Sequence, residues 1–397
     1  MYTCGIDVGK RQHVAIVLGP DGETAVSDWV VQNNRDGFDE LVRRLLPFKG
    51  GLLVGLEATG HYWLSVYETL SRNGFEVIVL NPMQIHAFRK TGIRKRKTDR
   101  LDASWIADFV RVARVTSRPA NVPALQQLKE LSRFRHHLTQ QIGDLKRKII
   151  SVLDRVFPEY ETLFSDVFLA SSRKLLAEAV TPDDFIDLDL GELAELLRSA
   201  SRGRFGLSQA EALQSAARRS VGVSFLTDAV HVEMTCMLAQ IDLLEQQQAE
   251  VDRVLEQLMA QIPQHITSIT GIGPVTGASI LAEIGDVRRF DASDKLVAYA
   301  GIDATVFQTG QFKGDQAHMS KRGSPYLRNA LWQAATSAIR RDPEIQAYYA
   351  KKRAEGKHHN VVMGAVCNKL LNRIYIILKE NRPYVIRNSP TLDLDAA

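Results

Sequence analysis

The residues of this chain best able to act together chemically are four acids near its N-terminus. Asp7 stands in Gly5-Ile6-Asp7-Val8-Gly9-Lys10, inside an apolar strand-like segment where an uncompensated carboxylate is costly to bury. Glu57 ends the hydrophobic run Leu52-Leu53-Val54-Gly55-Leu56, a second strand whose natural place is beside the first. Asp99 and Asp102 follow in Lys97-Thr98-Asp99-Arg100-Leu101-Asp102-Ala103, which opens a helix, and their spacing of three puts both on one helical face. Four carboxylates gathered at the end of a sheet repel one another unless cations neutralise them, and an all-oxygen donor set selects hard ions such as magnesium. Two such ions would activate a nucleophile and stabilise the leaving oxygen in phosphodiester cleavage. Plainer readings stand beside this one. Asp99 reads equally as a helix N-cap with Asp102 at N3, and Glu57 as a strand-end residue facing solvent. Asp7 is harder to explain that way.

The elements that must position these acids have α/β grammar from Met1 to about Arg114. Strands are expected over Tyr2 to Val8, His13 to Leu18, Ala25 to Val31, Leu52 to Glu57 and Glu76 to Asn81. Helices are expected near Phe38 to Leu46, Trp63 to Arg72 and Ala103 to Arg111. Two early hairpin-like strands followed by strand-helix units imply a mixed sheet. From Pro123 the apolar period becomes helical, through Leu125, Leu128, Leu131, Phe134, Leu138, Ile142, Leu145, Ile149 and Leu153. A second long stretch runs from about Val230 to Met259, and the pair is expected to form an antiparallel hairpin. The segment 160–227 between them has shorter helical patterns and an acidic run, Asp183 to Asp189, to which no chemistry is assigned. After Pro263 glycine-rich turns precede another basic stretch, so a boundary is placed there. The resulting division is 1–118, 119–262 and 263–397.

Composition narrows the field without deciding it. The 397 residues are 45% hydrophobic and 24% charged, ordinary for a globular chain long enough for two or three domains. A net charge of +4 neither requires nor excludes a nucleic-acid partner. Cys4, Cys236 and Cys367 lie far apart with no CxxC pair, which argues against a disulfide framework or structural zinc. No apolar run approaches a membrane span of about 18 residues, and Met1 leads straight into a strand-like segment, so a cytoplasmic protein without a membrane partner is expected.

Charge distribution says more than net charge. Arg89, Lys90, Arg94, Lys95, Arg96, Lys97 and Arg100 crowd just ahead of Asp99. A solvated charge run is the bland reading. A run that leads into four acids suits nucleic-acid phosphates better, and such contacts would position a strand rather than read its sequence. Near the other end, Ile266 to Ala278 contains Gly271-Ile272-Gly273-Pro274 and resembles a helix-hairpin-helix turn, in which glycines let a phosphate approach free backbone amides. A tight turn that touches no ligand is the equal alternative. Gln308-Thr309-Gly310 and then Met319-Ser320-Lys321-Arg322-Gly323-Ser324-Pro325-Tyr326-Leu327-Arg328 form a polar, glycine-punctuated stretch before an apolar helix. Ser324, just before Pro325, is best read as a helix cap, and Cys367 as a core residue.

The strings around Asp7, Glu57-Ala58-Thr59-Gly60, Asn81-Pro82 and Lys97 to Ala103 resemble the RuvC-like, RNase H-type catalytic domain of the DEDD transposases. These are insertion-sequence recombinases related to the Piv invertase. The resemblance covers roughly 1–114 and 264–383. It implies an α/β RuvC-like mixed sheet, a helical coiled-coil hairpin with the insertion 160–227, and a mainly helical C-terminal transposase domain. It makes Asp7, Glu57, Asp99 and Asp102 the catalytic and magnesium-binding D, E, D and D, for one or two ions. It further implies a covalent intermediate between DNA and a serine hydroxyl, and the matching position here holds Thr309. Threonine keeps the hydroxyl, though its β-branch restricts the rotamer and crowds the attacked phosphorus. Ser320 and Ser324 are the alternatives. Ser320, Lys321, Arg322, Arg328, Gly271 and Gly273 are then expected at nucleic acid, with donor and target DNA, a structured bridge RNA and a homo-oligomer, dimer or tetramer, as partners.

Three rivals make different demands. An actin-like sugar or acyl-phosphate kinase can also open on Asp7-Val8-Gly9, but gives no role to the cations from Arg89 to Arg100. A junction resolvase would use the four acids without the C-terminal hydroxyl. A DNA-binding regulator that has lost catalysis would tolerate threonine for serine, but has no need of four intact acids.

Overall fold

In a computed structural model, residues 1–58, 60–80, 82–89, 98–113, 122–303, 308–309, 312–313 and 318–386 are described. They form two compact units, Met1–Ala120 and Asn121–Ala397.

The first unit is built on a five-stranded mixed sheet of order β3-β2-β1-β4-β5. Its elements run β1 (Tyr2–Asp7), β2 (Gln12–Leu18), β3 (Thr24–Gln32), α1 (Arg35–Leu45), β4 (Leu52–Glu57), α2 (Trp63–Arg72), β5 (Glu76–Leu80), α3 (Pro82–Arg89) and α4 (Asp99–Val112). β1, β2 and β3 pair antiparallel, whereas β1, β4 and β5 are parallel. All five expected strands are present within one or two residues of the expected ends. The short helix α3 was not anticipated, because its eight residues are too few to establish a helical period.

What the sheet needs is cover on its apolar face, and α4 supplies it. Ala103 and Ala107 pack with Val14, Ile16 and Leu18, while Ile106 and Val110 pack with Leu53, Leu80 and Ile85. Burying each of the valine, leucine and isoleucine side chains among them is worth about 1.5–3 kcal/mol. The helix that carries two of the four acids is therefore fixed to the strand that carries a third by the core itself.

The second unit is helical. α5 (Val122–Val156) is followed by α6 (Ala170–Glu178), α7 (Pro182–Asp187), α8 (Leu190–Ala200), α9 (Leu207–Ala217) and α10 (Thr227–Gln261). Then come α11 (Pro274–Ile284), α12 (Ser293–Ala300), the two-residue strands β6 (Gln308–Thr309) and β7 (Phe312–Lys313), α13 (Pro325–Arg341), α14 (Pro343–Ala354) and α15 (His359–Glu380). α5 and α10 lie antiparallel, as their cross-links record. Arg135 pairs with Asp252, Gln248 donates to Thr139 at 2.6 Å, and Arg155 reaches Glu233 at 3.4 Å, so partner numbers fall along α10 as they rise along α5.

Each end of this pair has its own core. Leu128, Leu138, Leu255 and Met259 join α11 to α15, and Ile149, Leu153, Met234 and Leu238 join α6 to α9. The acidic run Asp183 to Asp189 is largely capping: Thr181 and Asp184 form a reciprocal capping box on α7, and Asp189 caps α8. α15 corrects the expectation of no span-length apolar segment, since an 18-residue window within it reaches a mean hydropathy of 1.5. Half of that window is buried, and Val362, Val366, Leu370 and Ile374 sit in the unit's core with Cys367.

Candidate active site

Strand register places the first two acids. Ile6 lies opposite Leu56 in the parallel pair of β1 and β4, so Asp7 and Glu57 leave the same end of the sheet from adjacent strands. The carboxyl ends of parallel strands are where open α/β sheets collect functional groups. Asp99 and Asp102 arrive in the first turn of α4, where the helix dipole favours negative charge. Thr98, not Asp99, is the N-cap: its hydroxyl accepts from the Leu101 N–H at 3.3 Å. The capping alternative for Asp99 is thereby overturned, because a threonine one position earlier already satisfies that turn. Thr98 before an acidic first turn is itself a legible helix-start signal.

The four acids influence one another. Burial, followed by repulsion from Asp102, Asp99 and Glu57, pushes the Asp7 carboxyl up to about 7, against the attraction of Arg89. Arg89, at the end of α3, donates to Glu57 at 2.9 Å and lies 3.5 Å from Asp102. It was expected at nucleic acid and is here a cation within the acid group. Among the described residues, no three His, Cys, Asp or Glu side chains close around a point that could hold a metal ion.

A residue that the sequence did not single out braces the turn after Asp7. His13 on β2 is 1% exposed, stacks on Phe38 and accepts the Gly9 N–H on Nδ1 at 3.2 Å. Burial pushes its pKa below the usual imidazole value, against an opposing contribution from Asn33. A lone histidine at the start of an apolar strand gives no sequence signal beyond its own type.

The remaining cations divide. Arg100 is held by Asp28 of β3. Lys90, Arg94, Lys95, Arg96 and Lys97 lie outside the described residues, as does Gly310.

In the second unit, Gln308 and Thr309 pair with Lys313 and Phe312 across a short antiparallel hairpin. Ser320 donates to Asp303, and Ser324 caps α13 by accepting the Leu327 N–H at 3.2 Å. The Ser324 hydroxyl also donates to Glu283 at 2.8 Å, and Arg133 of α5 grips that same buried carboxylate through both oxygens. This network, which spans α5, α11 and α13, could not be read from sequence because its members are far apart in the chain. Arg328 spends one guanidinium nitrogen on the Ala300 and Gly323 carbonyls, while Lys321 and Arg322 are exposed.

Gly271 has φ +96°, and a Cβ there would stand 2.8 Å from the Ala338 backbone nitrogen. Its lack of a side chain is thus used for close packing of the turn on α13. Gly273, the N-cap of α11, has open space around it.

Comparison with known proteins matches both ends of the chain. A DEDD profile of IS110 type described as "Transposase" matches residues 4–158, and one described as "Transposase IS116/IS110/IS902 family" matches residues 263–350. Three relatives match along almost the whole length. The chain is 25% identical over 397 residues to the "Insertion element IS900 uncharacterized 42 kDa protein" of Mycobacterium paratuberculosis, with 96% of each chain covered. It is 24% identical over 384 residues to the "Insertion element IS116 uncharacterized 44.8 kDa protein" of Streptomyces clavuligerus, covering 95% of this chain and 94% of that one. To the "Pilin gene-inverting protein" of Moraxella lacunata it is 23% identical over 385 residues, again with 96% of each covered. With both ends matched by transposase profiles and its length shared with insertion-element and gene-inverting proteins, the chain belongs to the DEDD transposase family of insertion-sequence recombinases.

Proposed function

We propose that this transposase cuts and rejoins DNA through a covalent protein-DNA ester, using Asp7, Glu57, Asp99 and Asp102 of a RuvC-like domain and the Thr309 hydroxyl. The observation that carries the reading is the state of Asp7. Burial first, and then repulsion from three neighbouring acids that Arg89 only partly offsets, pushes this carboxyl up to about 7, which suits a site that takes up a further cation. The donor set is all oxygen, and a guanidinium already stands against two of its members, so the residues suit a hard divalent cation such as magnesium. Bound there, one or two such ions would polarise a phosphoryl oxygen and offset the charge that develops on it.

The chain's own residues supply the rest. The Thr309 oxygen forms the new bond to phosphorus as the bridging ester bond of the strand breaks. The proton lost by threonine is balanced by the one gained by the leaving deoxyribose oxygen. Attack by the freed hydroxyl of another strand reverses the step and rejoins the DNA. Lys90, Arg94, Lys95, Arg96 and Lys97, together with exposed Lys321 and Arg322, hold backbone phosphates. A structured bridge RNA from the element guides the choice of donor and target. The protein acts as a dimer or tetramer in which acids of one subunit meet the hydroxyl of another. Exposed Phe134, Val232 and Leu243 on the long helices support such association.

The test is covalent capture. The full chain is incubated with magnesium, candidate guide RNA and labelled donor DNA, then denatured and examined for DNA-linked protein. Linkage in the wild type, its loss in Thr309→Ala and its reduction in Asp7→Asn are the expected results. Free cut ends without linkage, with Thr309→Ala fully active, would make the protein a metal nuclease of the resolvase kind and remove Thr309 from the mechanism.

A further inference from the structure

Arg89 is poorly placed for a residue whose only role is to meet DNA. It ends α3, whose Phe88 is wedged edge-on against Trp105 and Phe109 of α4, with ring centroids 5.7 and 5.2 Å apart. From there its guanidinium turns inward, 2.9 Å from Glu57 and 3.5 Å from Asp102, with only 22% of the side chain exposed. Its Nε is buried without a hydrogen-bond partner. Leaving that donor unsatisfied carries a cost, which the attraction of the acids offsets.

We infer that Arg89 is an internal counter-cation that holds the acid group together in the metal-free protein and that a divalent ion displaces. The inference rests on the four-carboxylate reading above and adds a competition to it. An arginine guanidinium stays protonated at any physiological pH, so it cannot yield its place by losing charge and has to move. While it lies against Glu57 and Asp102, the guanidinium occupies one oxygen of each carboxylate and competes with an ion for it. An ion of charge +2 among these acids would gain more from them than a guanidinium of charge +1. Release of Arg89 would shift the end of α3, and with it the contact of Phe88 with Trp105.

Manganese(II) alone, titrated calorimetrically into the full chain, tests this without DNA or RNA. Arg89→Gln removes the competing charge and is expected to bind manganese on the order of tenfold more tightly than wild type. Arg89→Lys, which keeps the charge but loses the two-pronged contact, should fall between them. Without metal, Arg89→Gln should melt at a lower temperature than wild type, and saturating manganese should close that gap. Trp105 emission should change on manganese addition in wild type and much less in Arg89→Gln. Equal or weaker binding by both Arg89 variants, with wild-type binding still abolished by Asp7→Asn, would overturn the counter-cation inference and leave the four-carboxylate site standing. Failure of wild type and both variants alike to bind manganese would overturn the two together.

Discussion

Gly5 of β1 and Ala103 of α4 lie so close that a Cβ added at Gly5 would stand 2.0 Å from the Ala103 carbonyl oxygen and 2.4 Å from the Ala107 nitrogen. The strand bearing Asp7 and the helix bearing Asp99 and Asp102 meet backbone to backbone. Gly5 therefore sets the distance between the acids, although it carries no chemistry itself. Gly5→Ala must push α4 away, and overpacking against main chain that cannot turn aside is expected to destabilise the first unit by about 3 kcal/mol. Urea unfolding followed by tryptophan emission can read this, since Trp29, Trp63 and Trp105 belong to that unit. Gly50→Ala, with nothing within 4 Å of its added Cβ, should leave the midpoint unchanged.

His13 predicts a loss of stability on acidification of the same sign as that of a carboxylate with a depressed folded-state value, but in a window that opens near neutrality. Burial holds its folded-state pKa below the unfolded value of about 6.5, so the unfolded chain binds more protons in the window between the two. Its contribution to stability is full above about 6.5 and is lost as pH falls towards the folded-state value. The slope from this one group can reach about 1.4 kcal/mol per pH unit. Protonation of Nδ1 also ends its acceptance from the Gly9 N–H, which loosens the turn after Asp7. His13→Asn keeps an acceptor without the titration, so the wild-type stability advantage should shrink as pH is lowered from 7 to 5. A constant difference across that range would exclude the histidine as its source.

Short apolar runs separated by helix-like stretches exposed the sheet to sequence reading, because strands buried on both faces, as β1, β2 and β4 are, read as continuous apolar runs. The site was legible for the same reason: Asp7 and Glu57 interrupt that pattern, and Asp99 and Asp102 are joined by helical spacing. Arg89 was visible as one charge in a run, but its turn inward depends on the unanticipated α3. The contacts of His13 with Gly9, and of Arg133 with Glu283 and Ser324, exist only once distant segments are packed. No local pattern encodes them. Thr98 is the opposite case, since a threonine before an acidic first turn is a cap that local reading can find.

The proposed covalent mechanism, with Thr309 as its nucleophile, makes a prediction about rate. Thr309→Ser keeps the hydroxyl and removes the methyl that crowds an attacked phosphorus, so adduct formation in a single turnover is expected to continue and to quicken by about twofold to tenfold. Thr309→Val keeps the branched shape without the hydroxyl and should slow linkage on the order of a thousandfold or more. Full linkage by the valine variant would move the nucleophile elsewhere, with Ser320 as the first place to look.

The half-exposed Arg133 and the buried Glu283 predict an asymmetry between breaking their ion pair and replacing it. Glu283 is 3% exposed, takes bonds of 2.7 and 3.2 Å from Arg133 and a third from Ser324, and so depends on its partners for solvation. Arg133 also lies over the Tyr326 ring, 4.5 Å from its centroid, which fixes its fork towards the carboxylate. Arg133→Met leaves a buried anion with Ser324 and the nearby Lys129 as its remaining support, and is expected to cost about 3 kcal/mol. The double variant with Glu283→Met removes the stranded charge and should recover most of that loss, giving a coupling of about 1.5 kcal/mol or more between the two positions. Ser324 keeps its capping bond to the Leu327 N–H in either case, so the start of α13 should survive and the difference should lie in the ion pair alone. Urea midpoints followed by helical circular dichroism for the two single variants and the double close the cycle. If the single losses simply add, the pair contributes no coupling, and hydrophobic packing of the arginine stem accounts for the effect of Arg133→Met.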